Sequence, residues 1–557
     1  MNSVWILLAA FVWFAAGYAL YGRRLEKVYG VDPNRVTPAH EKEDGVDYVP
    51  ARNWMVLFGH HFSSICGAGP IIGPALAVAY WGWAPSIVWV FIGAVLMGAV
   101  ADFTSLFVSV RSDGRTIADI ARPEISPRAR LLFSWFIWVS LVLVVAVFSI
   151  FAARTFLQEP HAVIPSLALI PVAVLVGHLL YRTNVGSRVA TSIGLALLAL
   201  SLYVGTAYPV PMPGVLGMSP ESVWIVVLLV YCFVASVAPV QVLLQPRDYL
   251  ASFLLYGAIG IGVAGVFITS PNMQARAFNG FDPAEWPAAG PMWPMLFVTI
   301  ACGAISGFHS LVSSGTTCKQ IDNETHACRI GYGGMIVEAL VGVLVVICVG
   351  ASIGIVELQS ILGPTGGGPI SAFSRGYGII TEPILGSHGG AFAVMALNAF
   401  ILTSLDTATR IGRYLTGELV GSSNMYVSTA LVTGVGGALA LTGQWTVLWP
   451  AFGTSNQLIA ALALLVGSCW MMRRGRSAAY TFIPACFMLV TTVAAFLYQL
   501  YGAITQIDPV TKAASPNWFL AALVVVLVVL AAVVFWEGVS VLLRERARAG
   551  TESALRT

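Results

Sequence analysis

Two adjacent histidines, His60 and His61, stand inside a long apolar stretch, shortly before the glycine- and proline-rich segment CGAGPIIGP (residues 66–74). Histidine changes its charge close to neutral pH, which suits a side chain that carries a proton. Proline removes a backbone donor and glycine permits unwound backbone, so the segment predicts an interrupted helix. Unpaired backbone groups are too costly in lipid, and such an interruption must therefore line an enclosed or wet cavity.

The interruption predicts a binding site for a carboxylate. Free backbone amides at the start of a half-helix attract an anion through direct hydrogen bonds and through the helix dipole. The candidate cradle consists of Cys66, Gly67, Ala68 and Gly69. The alternative is that these small residues serve only close helix packing.

Three further residues are expected at the same cavity. The segment ASVAPVQ (235–241) interrupts a later apolar stretch, so Ser236 and Gln241 are expected to face the first interruption. His309, near the end of another span, is expected to point into the cavity between them.

Acidic side chains within apolar spans are candidates for proton handling, because a charge at that depth costs about 2.5–3.5 kcal/mol on insertion scales. Asp102 is the favoured acid, and with His60 and His61 it forms the predicted proton-coupling set. It could stay protonated, pair with one of the two histidines, or bind Na⁺. Either histidine could instead be a neutral ring bonded to a serine or carbonyl. Glu338 raises the same question as Asp102, but it could pair structurally with another helix.

A hydroxyl series and several charges lie near the predicted cytoplasmic ends of the spans. The hydroxyls could coordinate Na⁺, a neighbouring ammonium could replace that cation, or the hydroxyls could simply bond between helices. The candidate cation site is Ser313, Ser314, Thr316, Thr317 and Lys319. The charges could form gate pairs or could snorkel at the interface. The candidate gate residues are Arg247, Asp248, Asp406 and Arg410.

No metal site and no cofactor are predicted. The group Cys318, Asp322, His326 and Cys328 matches no standard zinc spacing. The other cysteines mostly lie within apolar spans, so no disulfide framework is expected. The basic residues are scattered among short loops, which does not indicate a nucleic-acid partner.

The elements that must position these residues are membrane spans. Only 10% of the 557 residues are charged, far below a soluble domain, and apolar runs of about 20 residues recur throughout. The sequence therefore predicts an all-α polytopic membrane protein. The predicted spans are 4–22, 54–80, 86–110, 131–156, 162–181, 189–207, 222–245, 249–270, 292–314, 331–356, 389–408, 424–443, 447–471, 479–502 and 517–543.

The charge distribution predicts the orientation. With the N-terminus outside and the C-terminus in the cytoplasm, most of the 29 lysines and arginines fall in inner loops, as inserted helices require. The first segment lacks the basic start of a signal peptide and is interpreted as a retained anchor, with a cleaved signal as the alternative. An outer Gly/Pro-rich loop is predicted at 357–388. The predicted location is a bacterial inner membrane.

The two interruptions suggest an internal symmetry. The spans at 54–80 and 222–245 are five spans apart and run in opposite directions, which predicts two inverted five-helix repeats, the arrangement in which paired broken helices form a binding site. The predicted organisation is residues 1–52 as an N-terminal helix and cytoplasmic loop, 53–410 as a ten-helix transport core, 411–543 as about four C-terminal helices, and 544–557 as a cytoplasmic tail.

Several of these motifs, in this order, resemble the carbon-starvation protein A (CstA) family of bacterial inner-membrane transporters. They are HFSSICGAGPIIGPAL, ADFTSLF, QPRDYL, ISGFHSLVSSGTTCK, LDTATRIGRYLTGEL and WPAFGTSNQLIAALAL. The resemblance implies a LeuT-like fold and uptake of peptides or pyruvate, with proton symport for the pyruvate members. Gln241 replaces an expected aromatic residue and Cys318 an expected proline, so substrate identity is the least transferable feature.

Together these observations predict a secondary active transporter, not an enzyme. It would import a small carboxylate-bearing nutrient, pyruvate or a short peptide, with protons as the coupling ion and Na⁺ as the alternative. A membrane enzyme or a channel is the rival class: an enzyme would turn over substrate in detergent, and a channel would fail to concentrate it. The sequence leaves the oligomeric state open.

Overall fold

The computed structural model describes residues 1–557 except 184, 216, 287–288, 364–365, 422–423, 507–513 and 557, and the described part is helical, with isolated β-bridges but no sheet. Its α-helices are α1 Ser3–Ala16, α2 Arg23–Tyr29, α3 Pro38–Glu41, α4 Trp54–Ile65, α5 Gly69–Trp81, α6 Trp83–Gly93, α7 Ala99–Val110, α8 Ile117–Glu124, α9 Pro127–Gln158, α10 Val163–Arg182, α11 Ser187–Ala207, α12 Pro220–Val237, α13 Leu244–Thr269, α14 Met292–Thr299, α15 Gly307–Gly315, α16 Gly333–Ser352, α17 Ile355–Leu362, α18 Gly368–Leu385, α19 Gly389–Val420, α20 Met425–Ala440, α21 Trp445–Arg473, α22 Ala479–Ile504 and α23 Trp518–Arg556. Three short π-helical segments lie within the helical runs. Gly17–Gly22 joins α1 to α2, Ala94–Gly98 joins α6 to α7, and Cys328–Tyr332 leads directly into α16.

Within the described residues, 12 helices or continuous helix runs are long and apolar enough to cross a membrane. They overlap twelve of the predicted spans. The other three predicted spans correspond to the bent pair α4–α5, to the interrupted pair α14–α15, and to the shorter helix α20. The prediction of an all-α polytopic membrane protein is confirmed.

The most enclosed helices form the centre of the bundle. The apolar windows of α9 and α21 are 89% and 94% buried, whereas those of α11 and α23 are only 28% buried and lie at the periphery. Although α21 lies beyond the predicted core boundary at residue 410, its Asn456 accepts a hydrogen bond from the Phe308 amide at 2.7 Å. Helix α19 also runs through that boundary.

Two interrupted helices cross the centre in opposite directions. Helices α4 and α5 meet at a 45° bend, and α14 and α15 are separated by residues 300–306. Because α4 packs on α15 while α5 packs on α14, the two pairs run antiparallel.

The predicted second interruption, at residues 235–241, is therefore in the wrong place. Helix α12 ends at Val237, a turn follows, and QPRDYL forms the first turns of the separate helix α13. Pro239 has no amide to continue α12, whereas Pro246 lies in the first turn of α13, where a missing donor costs nothing. In the described residues six candidate spans, not four, separate the two interrupted helices.

The predicted outer loop at 357–388 is also wrong in its local structure, because α17 and α18 occupy most of it. Residues near both ends of α18, Ser371 and Gly386, line one cavity together with Gln158 at the end of α9. Helix α18 therefore begins and ends at the same side of the bundle. Gly368 and Pro369 lie at its start, where a helix tolerates them, whereas Gly376 lies in its middle and packs against the Cys348 carbonyl.

Candidate functional site

The first interruption leaves two backbone amides free. The Cys66 and Gly67 amides donate to the Phe62 and Ile65 carbonyls at 3.0 and 2.9 Å. The amides of Ala68 and Gly69 have no acceptor among the described residues, although both residues are fully buried. They lie at the positive end of the 13-residue helix α5, so this buried corner can hold an anion.

The second interruption faces the first directly. A Cβ atom added to Gly69 would lie 2.4 Å from Cys302 Sγ, and one added to Gly73 would lie 2.3 Å from the Thr299 carbonyl oxygen. One added to Gly67 would lie 2.8 Å from both the Phe148 ring and Ser404 Oγ. Gly73 thus brings α5 against the backbone at the end of α14, and Gly69 leaves room for the Cys302 side chain.

Ser236 and Gln241 do not face this corner. Ser236 Oγ lies 3.4 Å from Thr429 Oγ1, and Gln241 donates to the Gly45 carbonyl at 3.1 Å. Ser236, at the end of α12, thus contacts α20, and Gln241, in the turn after α12, contacts the loop before α4. The residues opposite the cradle are Thr299 and Cys302, which sequence reasoning missed because TIACGAIS (299–306) contains no proline and resembles ordinary helix packing.

The two adjacent histidines face different neighbours, as positions 100° apart on a helix must. His60 Nδ1 lies 2.8 Å from Asp248 Oδ2, which also accepts from Ser64 at 3.0 Å. Gln320 donates to His60 Nε2 at 3.1 Å, so Nδ1–H is the donor to Asp248. His61 Nδ1 instead lies 2.9 Å from Thr317 Oγ1.

Asp102 pairs with neither of these histidines. His309 stands between two carboxylates: its Nδ1 lies 3.0 Å from Asp102 Oδ2 and its Nε2 lies 3.0 Å from Glu338 Oε2. The three side chains come from α7, α15 and α16 and are fully buried. Asp102 Oδ1, both Glu338 oxygens and His309 Nε2 have no hydrogen-bond partner in the described part of the chain, so the His309–Glu338 contact is an ion-pair distance without hydrogen-bond geometry. We call these three residues the buried triad.

The candidate cation residues do not converge on one point. Ser314 and Thr316 donate to carbonyls of their own helix, and Thr317 meets His61. Ser313 is buried without a hydrogen-bond partner in the described structure. Lys319 places its ammonium 3.9 Å from the centre of the Tyr414 ring rather than among the hydroxyls. A hard cation would need several oxygens directed at one centre.

The gate candidates fall into three separate groups at one end of the bundle. Arg247 pairs with Asp406 and with the Tyr231 hydroxyl, all three in contact, while Asp248 belongs to the His60 group. Arg410 instead reaches Asp47, at 2.8 Å, on the loop before α4. Asp47 was not singled out from the sequence, because one acid in a charged loop carries no local signal.

Residues 44–51, here called the closing loop, tie several elements together. Asp47 also accepts from Arg413 at 3.2 Å and from the Tyr414 hydroxyl at 2.6 Å. The backbone of the loop bonds to Lys319, Gln320 and Val240, so the loop joins the segments that follow α12 and α15, and its Asp47 side chain adds α19. Burial acts to raise the pKa of Asp47, but the Arg410 and Arg413 guanidiniums outweigh it and hold that pKa below its usual range.

The opposite end of the bundle is open. A cavity of about 640 Å³ lies at the far end of α9 and shares Leu76, Tyr80 and Trp445 with a second cavity of about 220 Å³. The second cavity reaches Thr299, which packs against Gly73, one turn along α5 from the free amides. Space therefore leads from this end towards the cradle, whereas the other end is closed by ion pairs.

The cysteine-containing loop shows no metal arrangement. Cys318 donates to the Ser314 carbonyl at 3.0 Å, and His326 meets Asp322 at 2.8 Å, four residues away. Among the described residues no group of His, Cys, Asp and Glu side chains has the spacing of a metal site.

Comparisons with known proteins place the chain among transporters. It matches the family "Carbon starvation protein CstA" over residues 2–372 and 352–495. It is 34% identical over 583 residues to the peptide transporter CstA of Campylobacter jejuni, covering 91% of this chain and 81% of that one. The Bacillus subtilis peptide transporter CstA is 33% identical, over 88% of this chain and 89% of the relative. The pyruvate/proton symporter BtsT of Escherichia coli is 30% identical, over 91% and 83%.

The fold is also found in a solved structure. A mutant of the Eremococcus coleocola manganese transporter superposes with a TM-score of 0.55 and covers 90% of this chain and 99% of its own, at 10% sequence identity. At that identity the likeness concerns the fold alone.

Proposed function

The chain belongs to the carbon starvation protein CstA family, and on that premise we propose that it is a secondary active transporter that takes up peptides or pyruvate together with protons. The relatives named above are peptide transporters and a pyruvate/proton symporter. The proposed function is transport without catalysis of a chemical reaction. The observation that carries the proposal is the pair of free, buried amides at Ala68 and Gly69, set between an open end and a closed end of the bundle.

Pyruvate and a short peptide share one chemical group, a carboxylate. Two adjacent free N–H groups at a helix start suit a carboxylate, and the buried surroundings strengthen that interaction. The cradle is Cys66 to Gly69, with the segment around Cys302 opposite it in place of Ser236 and Gln241. The remainder of the substrate would extend towards Thr299 and the adjoining cavity.

The buried triad supports proton coupling. If both carboxylates were ionised and His309 protonated, the group would keep one net negative charge, with no lysine or arginine paired to it in the described structure. Such a charge is expensive away from water, so the triad is favoured with one further proton. A site that must gain a proton when closed and lose it when opened to water is a proton carrier.

The triad lies one helical turn from both interruptions. Glu338 precedes Gly342 by four residues, and a Cβ added to Gly342 would lie 3.7 Å from Pro74. Asp102 follows Gly98 by four residues, and a Cβ added to Gly98 would lie 2.3 Å from the Ala304 carbonyl. A shift of either broken helix therefore displaces the helices that carry the two acids. The His60–Asp248 pair is a second candidate for the same proton route, and His61 adjoins it.

One end of the bundle is open and the other is closed by ion pairs, which supports alternating access. We infer an inverted-repeat, LeuT-like core built around α4–α5 and α14–α15, the broken pairs whose half-helices form the site, with two of the six spans between them additional to the five-helix repeats. The closing loop, Arg410 and the Arg247–Asp406 pair would seal the cytoplasmic side of a bacterial inner membrane, with the N-terminus outside and the C-terminus inside, as the placement of basic residues favours.

The test is uptake of labelled pyruvate and of a labelled dipeptide into proteoliposomes. Each substrate is offered with an inward proton gradient alone and with an inward Na⁺ gradient alone. We expect accumulation only with the proton gradient. Accumulation with the Na⁺ gradient would reject the triad as the coupling site. It would favour Na⁺ binding by the hydroxyls at Ser313 to Thr317 instead. Equilibration without accumulation would indicate a channel.

A further inference from the structure

The larger cavity at the open end carries one charged group. Its wall is mostly apolar and aromatic, with Leu76, Tyr80, Phe151 and Trp445 contributing, and Arg154 is the single charged side chain among the described residues that line it. A cation that lines a mostly apolar cavity of about 640 Å³ attracts anions into it.

Arg154 is held in place but keeps free donors. Its Nε donates to Glu221 at 2.9 Å, and its guanidinium carbon lies 5.5 Å from the centre of the Trp445 ring. Its Nη1 and Nη2 groups have no acceptor in the described part of the protein, and the side chain is 30% exposed. The planar fork is therefore fixed by an ion pair and a ring, with its outer nitrogens available.

We propose that Arg154 and Trp445 form an outer carboxylate site, where the substrate binds before it reaches the cradle at Ala68 and Gly69. The proposal rests on the transport function proposed above. A guanidinium presents paired N–H donors that match the two oxygens of a carboxylate, which is the group at the C-terminus of a peptide and in pyruvate. Trp445 offers a face for the organic part of the substrate.

The position of the site explains how it would pass substrate inwards. Trp445 lines both cavities, so a molecule held at Arg154 already borders the space that leads to Thr299 and α5. Glu221 neutralises part of the charge of Arg154, which keeps the outer site weaker than the buried cradle. Binding there would raise the local substrate concentration without trapping the substrate.

The experiment measures initial uptake rates of labelled pyruvate and dipeptide in proteoliposomes at low ionic strength. For Arg154→Gln we expect KM to rise about 5- to 10-fold, the loss of a partly exposed charge-assisted contact, with Vmax within about twofold of the wild type. Arg154→Lys keeps the charge but loses the fork, so its KM should fall between the two. High salt should reduce the differences in KM between the wild type and the two Arg154 variants.

A substitution of Glu221, the ion-pair partner of Arg154, should change KM in the opposite direction. Glu221→Gln leaves Arg154 with its full charge, so KM should fall below the wild-type value. Reduced Vmax with unchanged KM in Arg154→Gln, or an unchanged KM in both Arg154→Lys and Glu221→Gln, would overturn the outer site. These results differ from failure of the transport function itself, in which the wild type accumulates neither substrate. Should Arg154→Gln not fold, the other two variants decide the question.

Discussion

Neutralising Asp47 is expected to open the closed end of the bundle. Asp47 is the one carboxylate in the described structure that pairs with both Arg410 and Arg413, whose side chains are 0% and 5% exposed. In Asp47→Asn both buried guanidiniums lose their counter-charge. The same change also weakens the attachment of the closing loop to α19.

The free-energy cost of Asp47→Asn to the closed state follows from this geometry. Removing one partner of a fully buried ion pair costs about 3–5 kcal/mol. The Asp47 side chain is 19% exposed, so water screens part of the loss and about 1–3 kcal/mol is a fair expectation. If that cost falls on the closed state alone, its population relative to the inward-open state drops about 5- to 150-fold.

Thiol labelling of the protein's own cysteines reads out that shift. Cys66 lies at the first interruption and Cys318 beside the closing loop; both are fully buried, whereas Cys486 is partly exposed. We expect a small maleimide to label Cys66 and Cys318 faster in Asp47→Asn, with Cys486 as the internal reference and peptide mass spectrometry assigning the sites. Asp113→Asn, which removes an exposed pair with Lys42 at 4.0 Å, is the control.

The pH dependence of the closing loop has a definite sign. Because the pKa of Asp47 is lowered in the folded protein, its pairs contribute fully above about pH 4 and weaken only as pH falls through the lowered value. The labelling rate of wild-type Cys318 relative to that of Cys486 should therefore stay constant between pH 5 and 8, because the thiolate fraction that sets both rates rises in parallel with pH. Equal labelling rates in Asp47→Asn and the wild type would refute the reasoning.

The remaining predictions concern the cradle and the triad. Gly67→Ala places a methyl group 2.8 Å from Phe148 and Ser404; overpacking of this kind costs about 1–3 kcal/mol, so we expect weaker substrate binding by calorimetry, while Gly260→Ala, with open space at its Cβ, should bind normally. Unchanged affinity in Gly67→Ala would reject the cradle. Asp102→Asn should abolish pH-driven accumulation while leaving substrate exchange measurable; accumulation equal to the wild type would remove Asp102 from the mechanism.

The spans and the first interruption could be predicted because their signals are local. Apolar runs identify membrane helices, and the glycines and prolines of CGAGPIIGP mark a bend within a few residues of the observed one. The two histidines could be expected to face different helices from the helical repeat alone. These conclusions need no knowledge of which helices touch.

The pairings could not be predicted, because they depend on long-range contacts. Asp102 and His309 are 207 residues apart in sequence, and Asp47 and Arg410 are 363 apart. The second interruption was missed for a related reason. The segment at 235–241 has a proline and looks broken, yet it is a turn between helices, whereas IACGAIS (300–306) contains no proline and still unwinds against Gly69 and Gly73.

The most direct test of the account compares Glu338→Gln with the wild type in proteoliposomes. One proton per monovalent carboxylate predicts about tenfold accumulation for each unit of inward pH gradient. We expect that ratio in the wild type and in Glu324→Gln, whose buried carboxylate pairs with Arg111 instead. Glu338→Gln should exchange substrate but reach a ratio of about one. Gradient-driven accumulation in Glu338→Gln at the wild-type level would contradict the buried triad as the site of coupling.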